Sequence, residues 1–127
     1  MKYTRHSMTD LRYHLVICPK YRKKITNDYF LKVLNYHLKK EAKRVGFDLI
    51  EYSIQEDHIH MHFECGPTEA ISTMIGKFKS GLTKELLIAI PPLISSLNKN
   101  KAMWSRGYYL SSTGIDSEAV QHYIKNQ

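Results

Sequence analysis

The sequence has few cysteines, no long apolar run and no excess of acid. Cys18 and Cys65 are the two cysteines among 127 residues. They form no Cys-x-x-Cys pair, which argues against a disulfide framework and fits a reducing, cytoplasmic setting. The most apolar stretch, Leu86 to Leu97, is interrupted by Pro91-Pro92 and is too short to cross a bilayer. No membrane association is expected. The opening Met-Lys-Tyr-Thr-Arg-His-Ser is charged, and the apolar segment of a secretory signal does not follow it. Repeats, low-complexity tracts and internal linkers are also missing.

The rest is ordinary globular material with a basic bias. The length suits one domain, expected to span residues 1–127. Apolar residues make up 43% and charged residues 24%, enough to bury a core and too apolar for disorder. Lys plus Arg is 19 against 12 for Asp plus Glu, a net charge of +7. That excess favours a polyanionic partner such as DNA, RNA or a membrane surface.

Hydrophobic periodicity sets the expected elements. Leu11 to Cys18 is β-branched and aromatic and ends at Pro19, as a strand does. Lys20 to Lys24 is a basic loop. Asn27 is placed to cap a helix running to about Val45, with Phe30, Leu31, Leu34, Leu38, Ala42 and Val45 at helical spacing and Gly46 to stop it. Asp48 to Ile54 and His58 to Cys65 read as a hairpin around Gln55-Glu56-Asp57. Pro67-Thr68 opens a second helix that buries Ile71, Ile75, Phe78, Leu82 and Leu86. Gly76 and Gly81 weaken this helix by roughly 1 kcal/mol each, unless they permit a close backbone approach. Pro91-Pro92 to Lys101 reads as a loop, Tyr108 to Ser112 as a strand, and Ser117 to Gln127 as a helix capped by Asp116 or Ser117. The order β-α-β-β-α-β implies an α+β, ferredoxin-like antiparallel four-stranded sheet with two helices on one face. The extra C-terminal helix is left to cover the other face.

The chemistry concentrates in His58-Ile59-His60-Met61-His62-Phe63. Side chains two apart on a strand share a face, so the three imidazoles point one way and the apolar residues the other. Imidazoles packed side by side need partners, and a divalent metal is one. The plainer alternative is a polar face of satisfied or exposed histidines. On the last helix Tyr123 and Gln127 stand four apart and present a phenol and an amide on one side. A phenol is a poor nucleophile at its usual pKa of about 10, but beside a metal and a polarised phosphate it forms a phosphotyrosine.

His58-Ile59-His60 followed by apolar residues, together with Tyr-x-x-x-Gln on a terminal helix, resembles the HUH single-tyrosine transposases. These serve small insertion sequences that move as single-stranded DNA, the IS-two-hundred family and its repeat-associated relatives. Tyr13-His14-Leu15-Val16 leading to Lys20-Tyr21-Arg22 resembles that family's first strand and basic loop. Ile75 to Gly81 resembles its second helix, Trp104 to Tyr109 with Ser112-x-Gly114 its fourth strand, and Glu118 to Gln127 its catalytic helix. The resemblance covers nearly the whole chain.

It implies Tyr123 as catalytic nucleophile and His58, His60 and Gln127 as ligands of Mg²⁺ or Mn²⁺. The implied reaction is a transesterification that cuts and rejoins single-stranded DNA without a high-energy cofactor. Implied partners are single-stranded DNA with subterminal hairpins and a second copy of the chain in a homodimer. The implied setting is a prokaryotic cytoplasm, at the nucleoid. Lys20, Arg22, Lys77, Lys79, Lys84 and Arg106 are the candidate phosphate contacts, and Trp104, Tyr108 or Tyr109 is a candidate stacking platform for an unpaired base. His62 stands where the family more often carries an apolar residue. A related replication-initiator or relaxase-type nickase, or a repeat-cleaving relative, shares the same residues and differs in its DNA. A non-catalytic nucleic-acid-binding module would place aromatics on the sheet face that His58 and His60 occupy here. A His-x-His-x-His metallohydrolase would need further ligands.

Overall fold

The structure, a computed structural model, describes residues 2–3, 6–20, 24–93 and 102–127. Arg22 and most of the loop read between Pro91 and Lys101 lie outside the described residues.

A short antiparallel hairpin, β1 (Lys2–Tyr3) with β2 (Met8–Thr9), precedes the domain's main elements. It has no counterpart in the sequence reading, because two-residue strands carry no periodicity. The Lys2 ammonium pairs with Asp48 and ties this hairpin to the sheet.

The main sheet contains β3 (Arg12–Ile17), β4 (Asp48–Ile54), β5 (Ile59–Glu64) and β6 (Tyr109–Ser111). Its spatial order is β4-β5-β3-β6, every neighbour antiparallel, which is the ferredoxin-like order expected from the sequence. Helices α1 (Asp28–Val45) and α2 (Ile71–Ala89) cover one face. Leu15, Ile17, Ile59, Met61 and Phe63 enter that layer against Leu34, Leu38, Ile75, Phe78 and Leu82, and all ten are fully buried. Burying a side chain of this kind contributes about 1.5–3 kcal/mol, so this layer dominates the stability.

The ends of α1 follow the sequence closely. The Asn27 side chain accepts from Phe30 N–H at 2.9 Å. Gly46 adopts φ +96° after the last turn, and Phe47 N–H reaches back to Ala42 O at 2.8 Å.

Helix α2 differs at its start. It begins at Ile71 after an extended Ala70, without a side-chain cap, and not at Pro67-Thr68. Residues 66–70 are spent crossing from the sheet to the helical layer, and the helix starts at the first residue of its apolar stripe. Gly81 permits the close approach considered above. A Cβ there would strike the side chains of Glu41 and Arg44, a pair joined at 2.8 Å with the Glu41 carboxylate buried. Gly76 has nothing within 4 Å of its would-be Cβ.

The fourth strand is three residues long, shorter than the expected Tyr108–Ser112, because the chain turns where Thr113 N–H bonds Ser111 Oγ at 3.3 Å. Gly114 follows with φ +121°. Helix α3 (Ser117–Lys125) is then capped by Asp116, which accepts from Ala119 N–H at 3.1 Å. It lies on the face of the sheet opposite α1 and α2, with Val120 against Val16 and Cys18. No helix among the described residues is long and apolar enough to cross a membrane.

Candidate active site

Strand register fixes which side chains share the sheet face on which α3 packs. Ser53, His60, Val16 and Tyr109 align across the four strands in one row. Glu51, His62, His14 and Ser111 form the next. Both rows alternate with the apolar residues of the main core, so imidazoles on this face are the direct result of the alternation in the sequence. His58 precedes the strand and does not belong to it. It closes the hairpin turn, where its carbonyl accepts from Gln55 N–H at 2.8 Å.

The imidazoles are partnered. His58 Nδ1 lies 2.7 Å from Asp57 Oδ1. His60 Nε2 lies 3.1 Å from His14 Nδ1, and the His14 ring stacks on His62 with centroids 4.0 Å apart. Burial, followed by the neighbouring imidazoles, holds His60 below its ordinary pKa. His14 is lowered by burial and then by His62. Both rings are thereby biased toward the neutral form, which is the form that ligates metals.

His58 and His60 line a cleft of about 310 Å³ with Ser53, Gln55, Ser117 and Gln121. Neither Tyr123 nor Gln127 lines this cleft. Ser117 and Gln121 line the cleft of the imidazoles, whereas Tyr123 packs with Tyr109 and Ile124 against Val16, Cys18 and Val120. The Tyr123 hydroxyl is buried without a hydrogen-bond partner among the described residues, next to Gly107. Burial, with Cys18 adding to it, pushes the phenol up to about 12. The Gln127 amide donates to the Tyr123 carbonyl at 2.8 Å.

Whether these donors suit a metal turns on their chemistry. A carboxylate only accepts, so Asp57 draws the His58 proton to Nδ1 and leaves the Nε2 lone pair available, the arrangement found behind ligating histidines. Two imidazoles and an amide oxygen suit Mn²⁺ or Mg²⁺. Among the described residues no group of three or more His, Cys, Asp or Glu side chains is gathered to hold a metal, so a third protein donor would have to be of another type.

The basic residues divide into distinct groups. Lys79 donates to the carbonyls of Ser105 at 2.8 Å, Gly107 at 3.2 Å and Arg106 at 3.3 Å, and burial lowers its pKa. Lys77 pairs with Glu69. Lys20 lies at the end of the β3 segment, its N–H on Met103 O at 2.9 Å. Lys84 and Arg106 form no side-chain ion pair or hydrogen bond among the described residues. Trp104 is 5% exposed, bridged to Pro19 within the core, and lines a pocket with Lys79 and Lys84 on α2.

Asp57, His14 and Gln121 did not stand out in the sequence. Asp57 directly precedes His58, a signal that could have been read. His14 and Gln121 become neighbours of the histidines only through strand register and helix placement.

The sequence model described as "Transposase IS200 like" matches residues 7–127. This chain belongs to that family. Among its relatives, the transposase for insertion sequence element IS200 of Salmonella typhimurium is 29% identical over 122 residues, covering 96% of this chain and 80% of the relative. The ISDra2 transposase TnpA of Deinococcus radiodurans is 27% identical over 128 residues, covering 100% and 91%. A crystal structure from Deinococcus radiodurans, described as a transposase, superposes with a TM-score of 0.87 at 25% identity over 100% of this chain and 98% of that one. A REP-associated tyrosine transposase bound to a REP hairpin shares the fold, with a TM-score of 0.58 at 12% identity over 96% of this chain and 67% of that one. Membership of the IS200-like family makes the activity class of this chain the cutting and rejoining of DNA in transposition.

Proposed function

We propose that residues 1–127 form one HUH transposase domain that cleaves and rejoins single-stranded DNA through Tyr123. The observation that carries this reading is the placement of α3, the helix of Tyr123, on the sheet face that bears His60, with its Ser117 and Gln121 lining the cleft of His58 and His60. His58, His60 and Gln127 would hold the divalent ion, which when bound acts as a Lewis acid on the scissile phosphate.

The remaining work falls to the chain. Tyr123 Oη loses its proton and forms a bond to the 5′ phosphorus. The bond from phosphorus to the 3′ oxygen breaks, and the strand leaves as a 3′ hydroxyl after taking up a proton. That hydroxyl attacks a second phosphotyrosine in the reverse sense, so the phosphodiester count is conserved. Because Tyr123 does not line the cleft of His58 and His60 within one chain, Tyr123 serves the histidines of a second copy in a homodimer, or α3 repositions before cleavage. Lys84 and Arg106 are the best-supported phosphate contacts, with Lys20, Lys77 and Arg22 as further candidates. A fold relative bound to a hairpin makes hairpin DNA the first substrate to supply.

The test is a covalent-adduct assay with a labelled single strand carrying a subterminal hairpin, in Mn²⁺ or EDTA. The expected outcome is a metal-dependent adduct that disappears in Tyr123→Phe while hairpin binding persists. Equal adduct formation by Tyr123→Phe overturns the assignment of the nucleophile.

A further inference from the structure

Resting on the reading of His58 as a ligand, we infer that Asp57 is a positioning residue that fixes the tautomer and ring orientation of His58. The turn Gln55–His58 brings the Asp57 carboxylate back onto the ring of its own neighbour, at 2.7 Å from Nδ1. The burial of the two side chains is asymmetric: Asp57 is 53% exposed and His58 18%. The carboxylate therefore backs the imidazole from the solvent side, and the ring faces the cleft.

Asp57 can only accept when ionised, so the proton resides on His58 Nδ1 and the Nε2 lone pair is set before any ligand arrives. Among the described residues no carboxylate is hydrogen-bonded to His60. Its contact is the His14 ring nitrogen at 3.1 Å, which either donates or accepts according to tautomer. His58 is thus the preset member of the pair and His60 the adaptable one. Partners of this kind typically account for 10–100-fold in metal affinity.

Two measurements on the full chain test this. Nitrogen-15 NMR of the metal-free protein should find neutral His58 as the Nδ1–H tautomer. Asp57→Ala should move it toward Nε2–H, whereas Asp57→Asn, whose amide oxygen still accepts, should retain much of the original form. Mn²⁺ titration followed by electron paramagnetic resonance should give affinity weakened about 10–100-fold in Asp57→Ala and less in Asp57→Asn. Thermal midpoint and hairpin binding in EDTA should not change. An Nε2–H tautomer in the unsubstituted protein overturns the inference. Equal losses for Asn and Ala also overturn it, since they would make Asp57 a ligand or a source of field. If His58→Ala binds Mn²⁺ as well as the unsubstituted chain, the ligand reading fails, and the NMR result still decides the Asp57–His58 contact.

Discussion

At the scale of single residues, the buried Tyr123 phenol makes a prediction that needs no DNA. Its pKa stands near 12 in the folded chain, against about 10 for an ordinary phenol. Between those values the folded chain keeps a proton that the unfolded chain has lost. The corresponding stability is intact below pH 10 and disappears as pH rises toward 12. Absorbance near 295 nm should therefore reveal one late-titrating tyrosine, absent in Tyr123→Phe, with the alkaline loss of stability reduced in that variant. His60 carries the opposite sign. Its folded pKa lies below 6.5, so its contribution is present above that value and is lost on acidification. Melting temperature should fall as pH drops below 6.5. Cys18, pushed up to about 11 chiefly by burial, with Asp57 adding to it, should react with iodoacetamide at pH 8 only as fast as the protein unfolds. The shared face of His60 and His62 was legible from alternation, whereas the place of His58 in the turn before the strand and the arrival of His14 by register were not. Nor was the position of the phenol, because sequence gives the spacing of Tyr123 and Gln127 but neither the rotation of α3 over the sheet nor its end at Lys125, short of the expected Gln127.

At the scale of elements, two glycines on one helix separate helix propensity from packing. Gly76→Ala adds a methyl group into open space and should stabilise the chain by about 0.5–1 kcal/mol. Gly81→Ala displaces the Glu41–Arg44 pair, with an overpacking cost of about 1–3 kcal/mol set against the same propensity gain. The expected result is a melting temperature that rises for the first and falls for the second; a rise in both would mean the pair moves aside freely. The element order, the two helical stripes and both α1 caps could be read directly, since each rests on local chemistry. The start of α2 and the length of β6 could not, because they depend on where neighbouring strands end. The hairpin of β1 and β2 is too short to leave a pattern.

For the whole molecule, the net charge of +7 implies binding that weakens steeply with salt. The structure refines which cations contribute. Lys84→Ala and Arg106→Ala should each reduce the slope of log affinity against log salt by about 1. Lys79→Ala should leave that slope unchanged and lower stability, because its ammonium is committed to three carbonyls. A changed slope in the Lys79 variant would return this residue to the DNA surface. Sequence counted these lysines equally, since charge is visible in a sequence and commitment to a carbonyl is not. The buried hydroxyl of Tyr123 also bears on the host. On the reading proposed above, the intermediate is a broken strand joined to protein, a hazard to the genome that hosts it. Here the proposed nucleophilic atom is out of solvent, so on that reading α3 must give up part of its packing before any strand is cut.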